Sequence, residues 1–513
     1  MKTISAVKIH PAIGVARLGN SPTEFFIGPE APGVAPRPAG GYRDAHRRIK
    51  RQAARFRLFG YDGKGHPVRE ITARDATITW TVHLANRKSE WIKFQGPKSR
   101  TDKRLRRNPT VTDRSSLIID SGARSLTGPN QQASFDTGTF LGTPVPLGDA
   151  RTDGDARLLV LGGFGRSGSP MQLPINEGEF ANNDGWHDDV SDGPVTANVT
   201  FKDGTSVAAV GAWVVCAVPK FAPPILHVIT LYDVLLQVAV DTLGLRLPAK
   251  PSFTKDIYPL LRRALNMKWV SGMVSHPMAH ADMRHPMHEH HHGDVAGPAH
   301  ATFSTVIPPP GSRSARTKIF EKLRDPALRP LHSSGESDMP MIHSDFYPAQ
   351  TNQPLTRIQY EMLRKWKNGN FINDWSGPPA ESPLITSDGL DRAALEACVG
   401  GPFYPGIEGS WLLRDTYTYS EPFRLDPTRL APGDITKQLA VPWQADFYDC
   451  AQEGELAWWP AQRPDDVFPE AGGPQVPWDR DLVKSMTDMV EKWHQLGFVV
   501  KKGKRYVETE RQP

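Results

Sequence analysis

The sequence predicts an α+β fold, with a β-rich, sandwich-like part over residues 1–224 and a mixed, helix-containing part over residues 225–513. Three observations predict it. Residues 76–84 (ATITWTVHL) alternate, with Ile78, Trp80, Val82 and Leu84 on one face, the period of a half-buried strand. Glycine and proline punctuate the first part densely, as short strands joined by turns require. Beyond residue 225 the apolar period lengthens: Leu355, Ile358, Met362 and Trp366 fall three and four apart, the stripe of a helix.

In chain order, strands are expected at 56–61, 76–84, 116–119, 157–161 and 196–201, the last running into the turn Lys202-Asp203-Gly204. His83 falls on the polar face of its strand and reads as a surface residue. The apolar run 212–218 reads as a buried strand that keeps Cys216 inert. Residues 182–189 (NNDGWHDD) gather oxygen ligands, but calcium-loop spacing is absent, so they read as a turn held by Asx hydrogen bonds. Helices are expected at 225–243, with Gly244 to end it, and at 256–269, 355–366, 388–397 and 481–496. The charged tail 501–513 is expected to fray.

A length of 513 residues suits two to four domains or one large composite, and a net charge of +5 over that length is mild. Basic runs at 46–51 and 98–107 read as solvated faces, because no nucleic-acid-binding signature accompanies them. No membrane span is expected: the best stretch, 225–243, carries His227, Asp233, Gln237 and Asp241. No signal peptide is read at the start, so synthesis in the cytoplasm is expected, with export by a non-classical route left open. Three cysteines make no disulfide framework, and Cys450 reads as a core thiol beside Phe447 and Tyr448.

Eight of the seventeen histidines crowd into 276–300. Such a tract can hold Zn²⁺, Cu²⁺ or Ni²⁺, but its spacing fits no fixed site, and Pro277, Pro286, Gly293 and Pro298 suit a loop. It reads as a solvated insertion that takes up metal loosely. The glycines of 162–168 lack dinucleotide spacing; the Walker lysine, HExxH and G-x-S-x-G are all absent.

The most informative stretch is 397–408, ACVGGPFYPGIE. Leu390, Ala394 and Cys398 recur every fourth residue on one helical face. Gly400 and Gly401 are expected to stop that helix through a positive-φ cap, and Pro402 and Pro405 to stiffen the exit. The thiol is thereby held at a helix end over Phe403 and Tyr404. Its expected neighbours are the segments 441–447, VPWQADF, and then 457–464, AWWPAQRP.

Together CVGGPFYPGIE and WWPAQRP resemble the quinoprotein oxidases of the lysine ε-oxidase and glycine oxidase (LodA-like) family. HPAIGVARLGNS (10–21), NND (182–184) and SDGP (191–194) carry the same resemblance, in the same order, so it spans about residues 8 to 465. The resemblance implies a cysteine tryptophylquinone made from Cys398 and a tryptophan. Trp458 and Trp459 point to opposite sides of an extended segment, and Trp459 is favoured because Pro460 restricts its backbone. It further implies oxidative deamination of a primary amine, an amino acid or a peptide side chain, with O2, releasing H2O2 and ammonia. A separate flavoprotein is implied as maturation partner, and assembly into a homo-oligomer stays open. Asp391, His343, Glu408 and Asp446 are the candidate proton acceptors; His10 and Arg17 line the site or merely pack. The family pattern has an acid one turn before the cysteine, where this chain has Ala394. The rival readings are a quinone-less scaffold that binds or modifies peptides, and a metal-binding protein acting through its histidines.

Overall fold

The computed structural model describes residues 4–94, 105–272, 310–327, 339–340, 353–377, 384–400, 408–409, 412–449 and 462–512. Its first part is built from β1 (Ala6–His10), β2 (Ile13–Arg17), β3 (Arg51–Tyr61), β4 (Ala76–Val82), β5 (Arg124–Thr127), β6 (Gln132–Phe135), β7 (Gly148–Thr152), β8 (Leu158–Leu161), β9 (Ser191–Phe201) and β10 (Ala212–Ala217). Hydrogen bonds link them in the order β6-β7-β8-β3-β2-β10-β9-β4-β5, with β1 paired antiparallel to β3. Helices follow: α1 (Leu231–Thr242), α2 (Tyr258–Asn266), α3 (Arg313–Glu321), α4 (Arg357–Lys367), α5 (Ser387–Glu396), α6 (Trp443–Asp449) and α7 (Met486–Lys492). A large sheet followed by helices is the α+β arrangement the sequence predicts. No helix among the described residues is long and apolar enough to cross a membrane.

The central strands β2 and β10 run parallel, Ile13 opposite Trp213 through Arg17 opposite Ala217. They are buried on both faces, so alternation decides which core each residue joins. Ala16, Val214 and Cys216 point into a core shared with Phe56, Trp80 and Leu158. Ile13, Val15, Trp213 and Val215 point the other way, into a core completed by Leu235, Leu395, Cys398, Trp443 and Trp478. The sheet is thus the wall on which the helical part is packed.

Strand and helix expectations hold for most segments. Ile78, Trp80, Val82 and Leu84 are all buried, and His83 is half-buried, its Nε2 2.7 Å from Asp120 Oδ1. The strand expected at 116–119 is instead a 3-10 turn, Arg114–Leu117, capped by the Asp113 side chain, with only Ile119–Asp120 extended. Residues 225–229 lie outside α1, because Thr230 and Asp233 form a reciprocal capping box that starts the helix at Leu231. Gly244 ends the segment at φ +73°. The helix expected at 256–269 is broken into a π turn (Phe253–Ile257), α2 and a 3-10 turn (Met267–Trp269). That expected at 481–496 shortens to α7 and a 3-10 turn.

The tail does not fray. Strands β11 (Phe498–Lys502) and β12 (Arg505–Thr509) form a hairpin. Tyr506 and Val507 are buried, and Phe498 stacks on Tyr42 at 4.8 Å between ring centroids. The buried pairs Phe498–Val499 and Tyr506–Val507 outweigh the charges around them. The 182–189 segment is a turn whose side-chain oxygens accept N–H groups: Asn182 from Phe94 and Arg107, Asp184 from Asn108, Asp188 from Lys88 and Trp443. Among the described residues no cluster of metal-ligating side chains forms. The histidine tract 276–300 and Cys450 lie outside the described residues.

Candidate active site

Helix α5 begins at the Thr386 cap and packs against β2, and its buried face carries Leu390, Ala394 and then Cys398. The Cys398 amide donates to Leu395 O (3.1 Å), and its carbonyl accepts from Leu231 N (3.1 Å). Gly400 N donates to Ile229 O (3.0 Å), so the cysteine backbone is stapled to the start of α1. Gly400 has no positive φ, contrary to the sequence expectation. It is glycine for a different reason: a Cβ there would lie 2.0 Å from Thr230 O.

Arg17 reaches the same place from the end of β2, on the face of Ile13 and Val15. Its Nη1 donates to Val218 O (2.9 Å), and its Nη2 lies 3.2 Å from Ala397 O, 3.7 Å from Cys398 Sγ and 2.9 Å from Glu408 Oε1. Glu408 Oε1 also accepts from Gln462 Nε2 at 2.7 Å. Lys220 Nζ donates to Ala397 O at 2.9 Å. All five side chains are buried. Glu408 Oε2 and Gln462 Oε1 have no hydrogen-bond partner among the described residues.

Burial, followed by the nearby Glu408 carboxylate, pushes the Cys398 thiol well above its ordinary range, so the sulfur is held as a neutral thiol. Burial, followed by the like charge of Arg17, pulls Lys220 down to about 7. Cys216 is likewise raised, to about 12, chiefly by burial, in keeping with an inert thiol.

Asp391 stands elsewhere on α5. Its Oδ1 accepts from Ala12 N (2.6 Å) and lies 2.9 Å from His10 Nδ1, whose Nε2 is 2.8 Å from Tyr61 Oη. Asp391 and His10 therefore tie α5 to β1 and β3. Asp446 is buried on α6, close enough to Lys88 to act on its charge. His343, Trp458 and Trp459 lie outside the described residues. The structure thus gathers Cys398, Arg17 and Glu408, and adds Lys220 and Gln462, which sequence reasoning missed. Gln462 was legible as part of WWPAQRP; Lys220, in a strand-exit loop, left no periodic signal.

The comparisons agree along the chain. Residues 10–216 match the family model described as L-lysine epsilon oxidase N-terminal, and residues 337–470 match its C-terminal domain. The chain is 29% identical over 543 residues to an L-lysine 6-oxidase of Marinomonas mediterranea, covering 87% of this chain and 71% of that protein. The crystal structure of L-Lys epsilon-oxidase from the same organism, as its Schiff base intermediate with L-Lys, superposes with a TM-score of 0.79 at 25% identity, over 99% of this chain and 95% of that one. A second crystal structure of that enzyme gives 0.78 at 25% identity, with the same coverage. The chain belongs to the LodA-like family of L-lysine ε-oxidases and is, by class, an amino-acid oxidase.

Proposed function

We propose that this oxidase deaminates a primary amine of an amino acid or peptide side chain with O2, releasing H2O2 and ammonia, through a cysteine tryptophylquinone made from Cys398 and Trp459, with Trp458 the second choice. The observation that carries the reading is the placement of Cys398 Sγ beside Arg17, which pairs with Glu408, which in turn holds Gln462. Gln462 follows Trp459 by three residues, so covalent geometry keeps the two Cα atoms within about 11 Å. The Gln462 carbonyl accepts from Phe221 N at 2.9 Å, which anchors that end of the segment. A buried neutral thiol and two unpartnered acceptor oxygens, Glu408 Oε2 and Gln462 Oε1, fit a covalent aromatic group and its polar edge.

A quinone on that ring would supply an electrophilic carbonyl for the amine and a sink for two electrons, which O2 would then take up as H2O2. The chain's own residues orient and shield it. Arg17 and Lys220 clamp the Ala397 carbonyl from two directions and so fix the backbone that carries the sulfur. Bulk water is excluded by the core around Cys398. Asp391 is already engaged by His10 and Ala12, which ranks Glu408 above it as the proton acceptor nearest the sulfur, with His343 and Asp446 the other candidates. The division into a β-rich part (1–224) and a catalytic part (225–513) with a sandwich-like first layer belongs to the same proposal, as does a flavoprotein that matures the cofactor. Because the characterised relative acts on L-lysine, lysine is the first amine to try.

The test is intact mass with peroxide release on a panel of amino acids and amines. Two added oxygens and about four lost hydrogens shift the mass by roughly 28 Da, by atom counting for the installed group. A chain carrying no such shift, and releasing no peroxide with any amine, would support the quinone-less scaffold instead.

A further inference from the structure

A cleft of about 610 Å³, within the usual range of small-molecule sites, opens between the chain leaving β2, the loop after β8 and the end of α7. Asn20, Arg48, Phe164, Arg166, Trp493 and His494 line it, and none of them belongs to the group gathered at Cys398. Among the described residues no carboxylate lines it. The exposed Arg166 guanidinium lies 5.6 Å from the centre of the Phe164 ring and makes no hydrogen bond or ion pair among the described residues. Arg48 spends only its Nε, on Asp44 Oδ2 at 2.9 Å, and Asn20 only its Oδ1, which accepts from Ile49 N at 2.6 Å. The Arg166 fork, the Arg48 Nη nitrogens and Asn20 Nδ2 are therefore donors left over. Burial, followed by the Arg43 charge, pulls His494 below its ordinary range, so the charge of the cleft rests on the two arginines.

The wall that carries Arg166 is built in advance of any ligand. Asp189 Oδ2, buried beneath the loop, accepts from the Phe164 and Arg166 amides at 2.6 Å and 3.1 Å. Gln444 Nε2 donates to Gly165 O at 3.1 Å, and Ser167 Oγ donates to Gln444 Oε1 at 2.6 Å. Gly165 sits at φ +72°, where a Cβ would lie 2.2 Å from Trp493 Cζ2, so the loop is seated directly on that ring. We propose that this cleft is a binding site for a small organic anion, whose carboxylate or phosphate oxygens are taken by Arg166, Arg48 and Asn20 and whose apolar part lies against Trp493. A guanidinium fork matches two oxygens of either group at once, and a fork already laid over Phe164 gives up little freedom on binding. Two arginines without an acid have the wrong sign for an amine cation, so the cleft is not a second place for the amine under oxidation.

The test is titration calorimetry of the full chain with citrate and with glycerol 3-phosphate, against sodium chloride at matched ionic strength. The two probes separate the carboxylate source from the phosphate source. The expected result is saturable one-to-one binding of at least one of them, weakened by added salt. Arg166→Glu should weaken that binding by about tenfold or more, the scale of one lost charge-assisted contact. Arg166 is exposed and in no ion pair among the described residues, so this variant should melt with wild type; Arg166→Gln provides the comparison should it fail to fold. Arg74→Glu, at a side chain 87% exposed and outside the cleft, should bind as wild type does. Heats no larger than those of sodium chloride with both probes, equal affinity in wild type and the Arg166 variants, or equal losses in Arg166→Glu and Arg74→Glu overturn the assignment. A chain without the quinone serves equally well in these titrations, so the outcome is separate from that of the oxidase reading.

Discussion

Gly400 packs so tightly against Thr230 that a methyl group on its Cα would lie 2.0 Å from the Thr230 carbonyl oxygen. The atom in the way is backbone at the cap of α1, which is itself fixed by the Thr230–Asp233 box and by Arg263 on Asp233. Gly400→Ala should therefore destabilise the protein by about 3 kcal/mol, at the upper end of overpacking costs. Urea unfolding measures it, and a midpoint equal to wild type would show that the two segments are not in contact.

Arg17 and Glu408 form a buried ion pair across most of the chain. Removing one partner strands the other charge. Arg17→Leu should cost about 3–5 kcal/mol, and adding Glu408→Gln to it should restore part of that loss, because the orphaned charge is gone. A double-mutant cycle from denaturant melts checks this; strictly additive losses would argue against the pairing.

Oxidase activity should vanish in Cys398→Ser with the fold retained, since the sulfur contributes chemistry and only one small buried group to packing. Trp459→Phe should behave likewise, and Trp458→Phe should keep peroxide release. The reverse order for the two tryptophans would move the quinone to Trp458.

Lys220 makes stability depend on pH in a defined direction. Its folded pKa of about 7 lies below the ordinary 10.5, so between those values the unfolded chain binds more protons than the native one. Stability contributed through this residue then rises with pH across that window, by up to about 1.4 kcal/mol per unit, and is flat below it. Lys220→Met removes that slope. Denaturant melts of both chains between pH 7 and 9.5 should converge as pH rises; parallel curves would place the lysine in a solvated setting.

Deleting residues 285–292 should leave peroxide release unchanged, because the proposed chemistry does not use histidine-bound metal. Loss of activity restored by Zn²⁺ or Cu²⁺ would favour the metal-binding reading.

Much of this was legible in the sequence where one periodicity acted alone. Residues 76–82 are strand because alternation and β-branched content agree, and α5 is helical because Leu390, Ala394 and Cys398 share a face. Ends were legible only where a cap is a single residue, as at Gly244; the two-residue box at Thr230 and Asp233 overrode an apolar run that continues upstream. The tail was misread because its lysines and arginines hide Tyr506 and Val507, which are buried on a strand paired with Phe498–Lys502. The same holds for Lys220: nothing local marks it, and only tertiary packing brings it to the Ala397 carbonyl.

That terminal hairpin has a consequence for biosynthesis. Glu510 accepts from the Tyr42 amide, 468 positions away, and its carbonyl accepts from Arg43. Tyr42 thus leaves the ribosome 468 residues ahead of the partner that its amide finds. A nascent chain that has not reached residue 498 has no ring to stack on Tyr42. Closure around Tyr42 therefore follows synthesis of residues 498–510.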